Sequence, residues 1–63
     1  MEYQKLEPFK KRLLKKGFIC KHKEKLQNNE WRCVLSCGAE EYVLHIKSYK
    51  NEWYYIILSH KYN

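Results

Sequence analysis

The stretch WRCVLSCGAEEYVLHIK, Trp31 to Lys47, decides the fold of this chain. On both sides of Gly38-Ala39 large apolar residues recur at every second position, the period of a strand with one buried face. With Gly38-Ala39 as a two-residue loop, Leu35 faces Tyr42, Cys33 faces Leu44 and Trp31 faces Ile46. Directly opposed residues share a sheet face, so both arms of this hairpin contribute to one apolar surface.

The same logic extends outward. Lys50-Asn51 as a tight turn sets Ile46 against Tyr55 and Leu44 against Ile57. Upstream, Asn28-Asn29 as a tight turn sets Leu26 against Trp31, Glu24 against Cys33, His22 against Leu35 and Cys20 against Cys37. All three turns place their large apolar residues on one face. The reading is a meander of four strands, at about 18–26, 31–37, 41–49 and 53–61.

Ahead of the meander, Leu6, Phe9, Leu13 and Leu14 recur at helical spacing, with lysines and Arg12 on the remaining faces. Pro8 is compatible only with a first turn, Gly17 suits the left-handed position after a helix, and Phe18 supplies the hydrophobic contact that follows it. A helix is therefore expected over about 4–16, with Leu6, Phe9 and Leu13 packed on the sheet. The expected fold is α+β: one domain over 1–63, an N-terminal helix covering one face of a four-stranded antiparallel meander (α-β-β-β-β). The order resembles the first part of a double-stranded-RNA-binding domain and of the small toxins that share its topology. The second helix of the former and the glycine-serine-histidine signature of the latter are missing here, so no function carries across.

The second sheet face has no helix left to cover it. On it the pattern places Val34, Val43, Tyr54, Ile56 and Leu58 as an apolar centre, the expected partner or dimer face. Lys21, Lys23, Lys25, Arg32 and Lys47 border it as candidate nucleic-acid contacts. A formal charge of +6, from thirteen basic and seven acidic residues, favours acidic partners. Eleven of the thirteen are lysines, which act more as point charges than as base readers, so any nucleic-acid binding is expected to be sequence-nonspecific.

Catalysis and metal binding find little footing. Cys20, His22, Cys33 and Cys37 offer zinc ligands, but Cys33 and Cys37 on one strand lie about 13 Å apart at ~3.3 Å per residue. A cross-strand Cys20–Cys37 pair reads as two small core thiols, as in a reducing compartment. Cys33 and His45 point to opposite faces, and His22, His45 and His60 share no local catalytic motif. The reading is thus no enzyme, no cofactor and no metal. It expects a small basic protein of the cytoplasm, neither exported nor membrane-bound, acting by protein–protein contact with a larger protein target, with a copy of itself as a homodimer, or with both. The lysine, asparagine, tyrosine and isoleucine bias of an AT-rich genome fits a phage or mobile-element inhibitor of host defence machinery. Sequence-nonspecific nucleic-acid binding is the alternative.

Overall fold

Gly17, with φ at +94°, ends the one helix, α1 (Leu6–Lys15). An L-residue resists that conformation and glycine does not. The reversal lets the Phe18 N–H donate to the Leu13 carbonyl and the Gly17 N–H to the Leu14 carbonyl, both at 3.0 Å. This is the paired closure that satisfies the last carbonyls of a helix. It brings Phe18 and Leu13, each 3% exposed, into the core. The Cys37 thiol donates to the Lys16 carbonyl at 3.5 Å and ties the same helix end to the sheet. Pro8 lies in the first turn, where its missing N–H costs nothing.

The computed structural model describes residues 2–62, so the two ends of the expected 1–63 domain lie outside the described residues. The elements are β1 (Gln4–Lys5), α1, β2 (Ile19–Gln27), β3 (Glu30–Cys37), β4 (Glu40–Tyr49) and β5 (Glu52–Lys61). They form one antiparallel sheet in the order β1-β5-β4-β3-β2. The α+β class and the meander hold, but the sheet has five strands where four were expected. The addition is β1, which pairs Gln4 with Tyr55 and Lys5 with Tyr54. Two residues are too few for any periodicity to announce.

The β3–β4 register is the expected one, with Leu35 opposite Tyr42, Cys33 opposite Leu44 and Trp31 opposite Ile46. Gly38 at φ +59° followed by Ala39 at negative φ suits a tight hairpin turn. The β4–β5 turn also holds, with Lys50 and Asn51 both at positive φ, and Leu44 meets Ile57. One residue later the strand bulges at Leu58, so Ser59 meets Val43 and His60 meets Tyr42. His60 therefore lies on the helix side, where unbroken alternation from Ile57 would put it on the uncovered face. Its ring stacks on Tyr42 at 3.9 Å and Nε2 lies 2.7 Å from Glu40.

The first hairpin departs from the expected register. The turn is at Asn28-Asn29, with Gln27 opposite Glu30, but Leu26 is an extra residue and Lys25 meets Trp31. Lys23 then meets Cys33, and after a second bulge at Lys21, Cys20 meets Leu35 instead of Cys37. A one-residue slip exchanges the faces of a strand. Lys23 and Lys25 thus lie on the helix side, and Leu26 is not a core residue but 44% exposed. The physical reason is in the strand itself. Residues 19–27 lack the apolar alternation that pins a register, and all nine are exposed along a sheet edge.

The core gathers Phe9 and Leu13 from α1 with Phe18, Cys33, Leu35, Leu44, Ile46 and Tyr55. Phe9 stacks on Tyr55 at 4.3 Å and meets Tyr42 edge-on at 5.4 Å. The ten-residue helix is about 15 Å long at 1.5 Å per residue, against about 30 Å for the strands beneath it. It covers only part of their face. The accessible surface of 4915 Å² exceeds the roughly 4400 Å² expected for a compact chain of this mass. A groove lies beside the helix. Among the described residues no helix is long and apolar enough to cross a membrane.

Candidate binding site between the helix and the sheet

Beside the first turns of α1, a groove of about 520 Å³ opens on the helix side of the sheet. Its floor is Leu44 and Ile46 of β4 with Cys33 of β3, and its walls are Leu6 of α1, Trp31 of β3 and Trp53 of β5. Trp53 pairs with Ser48 near the turn between β4 and β5, beside the start of α1, and is 45% exposed. A second recess of about 530 Å³ shares Leu6, Lys10 and Trp53 with it and runs past the start of α1. The groove therefore bends around Trp53.

Its charge is one-sided. Lys10 and Lys23 line it, and Nζ of Lys23 and Lys25 lie 4.7 and 5.8 Å from the centre of the Trp31 ring. Such placement over an indole is favourable for a cation and holds both ammonium groups close to the groove. No acidic residue lines the main groove. The two in the adjoining recess are engaged, Glu7 with Lys11 at 3.4 Å and Glu52 with Lys5 at 3.5 Å. Glu52 also accepts from the Tyr54 hydroxyl at 3.0 Å, and that bond raises the Tyr54 phenol above its ordinary range.

Cys20 and Cys33 also line the groove, on neighbouring strands. Burial, with the Cys20 thiol beside it, pushes the Cys33 thiol up to about 11. It stays protonated at neutral pH and is a poor nucleophile. All three cysteines are free thiols, and Cys20 donates to the His22 carbonyl at 3.6 Å. Among the described residues no three His, Cys, Asp or Glu side chains gather as a metal site requires.

The sequence placed the candidate site on the other face of the sheet, and that face is partly filled. β1 carries Tyr3 across it. The Tyr3 hydroxyl lies 2.7 Å from Nδ1 of His45, and the other ring nitrogen lies 3.3 Å from Glu30. Lys47 sits over the Tyr3 ring at 4.1 Å. Of the five apolar-centre residues, Val43 is only 9% exposed, Val34, Tyr54 and Ile56 are half-buried, and Leu58 stands out at 53% on its bulge. The five basic candidates are divided. Lys23 and Lys25 serve the groove, Lys21 pairs with Glu41 at 3.7 Å, Arg32 with Glu24 at 3.8 Å, and Lys47 caps Tyr3.

Tyr3, His45 and Glu30 form a hydroxyl–imidazole–carboxylate chain, the arrangement that activates a nucleophile when a cleft holds an electrophile beside it. Here it lies on an open sheet face, away from both recesses, and it anchors the N-terminal segment. Sequence reading missed this chain because Tyr3 precedes every periodic segment. It missed the groove's basic rim because the β2 bulge at Leu26 moves Lys23 and Lys25 to the other face. Comparison with protein families, curated proteins and solved structures finds no match for this chain.

Proposed function

We propose that this chain is a non-catalytic binding protein that docks on a larger protein through the groove between α1 and the sheet. One observation carries the reading. Trp53, nearly half exposed, stands opposite Trp31 over an apolar floor, in a chain small enough that burying both indoles would have been the cheaper arrangement. Tryptophan is the side chain most enriched where interface energy concentrates. Occupying a partner's surface, and so inhibiting it, is the simplest activity for a domain of this size that lacks a supported catalytic pocket.

A photo-crosslinking side chain placed at Trp53, and separately at Val34 on the other face, tests this in the cells that make the protein. The expected result is a discrete adduct from position 53 and none from position 34. The reverse pattern moves the docking surface to the face that carries Val43 and Ile56.

A second reading is sequence-nonspecific nucleic-acid binding. It is favoured by the basic side chains: among the described residues only Lys5, Lys11, Lys21 and Arg32 are paired with a carboxylate, leaving nine of thirteen free to meet phosphates. Affinity for an oligothymidylate would then fall steeply as salt rises. A flat salt dependence, or no retention near physiological salt, removes that reading.

A further inference from the structure

We infer that the occupant of the groove is an acidic protein segment that presents bulky apolar side chains on one side and carboxylates on the other. The inference rests on the docking reading above and adds the chemistry of the partner. The floor (Leu44, Ile46) and the Trp53 wall are apolar and shaped to receive aliphatic or aromatic side chains, so the inward side of the segment is apolar. The rim carries three ammonium groups, from Lys10, Lys23 and Lys25, with no carboxylate among the main groove's lining residues. Lys10 comes from the helix and the other two from the edge strand β2, so positive charge flanks the opening from both sides. A segment with basic groups at its borders would set like charges against these three cations, and one with no charge would forgo their steering. One with carboxylates at its borders pairs them as the apolar side chains enter.

Nucleic acid fits the same surface less well. Base stacking needs an open ring face, and the Trp31 ring already carries Lys23 at 4.7 Å and Lys25 at 5.8 Å. The floor beneath is branched aliphatic, so Trp53, 45% exposed, is the one indole of the groove with no lysine over it, too few for successive bases to stack. Neither arginine of the chain lines the groove, although arginine is the side chain best suited to bidentate phosphate contacts.

The test uses the whole chain and three synthetic ligands of defined chemistry. The first is a helical peptide of about 18 residues, five turns, with leucine and tryptophan along one side and glutamate on the rest. The second is the same peptide with lysine for glutamate, and the third is an oligothymidylate. Affinity is read by calorimetry against the parent protein, Trp53→Ala, and a Lys23→Glu/Lys25→Glu double variant. These three positions are exposed, and far-UV circular dichroism checks that each variant keeps its fold.

The expected result is binding of the acidic peptide alone, weakened about tenfold or more by either variant, with the lysine peptide gaining affinity for the double glutamate variant. If acidic and basic peptides bind the parent equally and both depend on Trp53, the groove docks proteins but the acidic partner is wrong. If the acidic peptide binds and Trp53→Ala changes nothing, the groove itself is the wrong surface. Tighter binding of the oligothymidylate than of the acidic peptide overturns the inference in favour of nucleic acid. Binding of none of the three overturns both statements.

Discussion

The hydroxyl of Tyr3 and Nδ1 of His45 lie 2.7 Å apart, although the two residues are 42 positions apart in the chain. That bond fixes the N-terminal segment across the face of the sheet that the helix does not cover. β1 is only two residues long and two ladder pairings hold it to β5, so the side chain of Tyr3 is a large share of what keeps it in place. With neutral His45, the phenol donates to Nδ1 and Nε2–H donates to Glu30.

Tyr3→Phe removes the hydrogen bond and keeps the ring under Lys47. It is expected to cost about 1 kcal/mol in chemical denaturation and to speed amide exchange in β1 without altering β3 or β4. Tyr3→Ala, which also removes the ring, is expected to cost more and to expose Ile56 on that face. Equal stability of all three proteins would mean that the segment contributes nothing to the fold.

Two substitutions at the end of α1 separate backbone strain from packing. Gly17→Ala has room for a Cβ, since the nearest atom, Cys37 Sγ, is 3.7 Å away, yet the positive φ remains. The expected cost is about 1–2 kcal/mol, from conformation alone. Leu13→Ala removes a side chain that is 3% exposed and packs beside Phe18, and should cost about 2–5 kcal/mol. A loss below about 1 kcal/mol for Leu13→Ala would place the helix face wrongly.

How much of this was legible in the sequence depends on what each strand had to bury. In β3, β4 and the first half of β5, large apolar residues at every second position leave one register that buries them, and the two turns between them follow it. β2 has no such constraint. Its alternating lysines read equally well on either face, and only the bulge at Leu26, invisible in the residue pattern, puts Lys23 and Lys25 beside Trp31. The candidate site moved to the other face for that reason. Ile57 lies on the helix side, as its place opposite Leu44 required, and Trp53 shares that side, yet the two are 42% and 45% exposed. Ten residues cannot cover ten-residue strands.

The buried thiol gives a pH signature. Cys33 has its proton held up to about 11, against an ordinary value of 9.0, because burial penalises the thiolate and the Cys20 thiol adds to the penalty. A group whose folded value is raised contributes its stabilisation below the unfolded value and loses it as pH climbs to the folded one. Stability should therefore fall between about pH 9 and 11, by up to about 2 kcal/mol from this thiol. The raised phenols of Tyr42, shifted mainly by burial, and Tyr54, shifted mainly by its bond to Glu52, act in the same direction. Cys33→Ala should flatten part of the alkaline decline. At pH 8, iodoacetamide should modify exposed Cys20 first and leave Cys33 intact in the folded protein. Prompt modification of Cys33 would show that the groove floor opens.

Self-association is decided by what Tyr3 leaves uncovered. A stable interface buries about 800 Å² on each partner, and a two-fold dimer would set the same patch against itself. The apolar centre expected there has shrunk. Val43 is 9% exposed, Val34 and Ile56 are half-buried, and Leu58 stands apart on its bulge. Around them lie His45, Lys47, Arg32 and Lys61 with Glu24, Glu30 and Glu41, the carboxylates already engaged within the chain, and each copy carries a formal charge of +6. Opposing two such faces would set two net-positive copies together over a small apolar gain. Sedimentation at tens of micromolar is accordingly expected to give a monomer, with Ile56→Lys leaving its size unchanged. A dimer that Ile56→Lys dissociates would make the second sheet face the interface, and would leave the tryptophan groove free on each copy for a different partner.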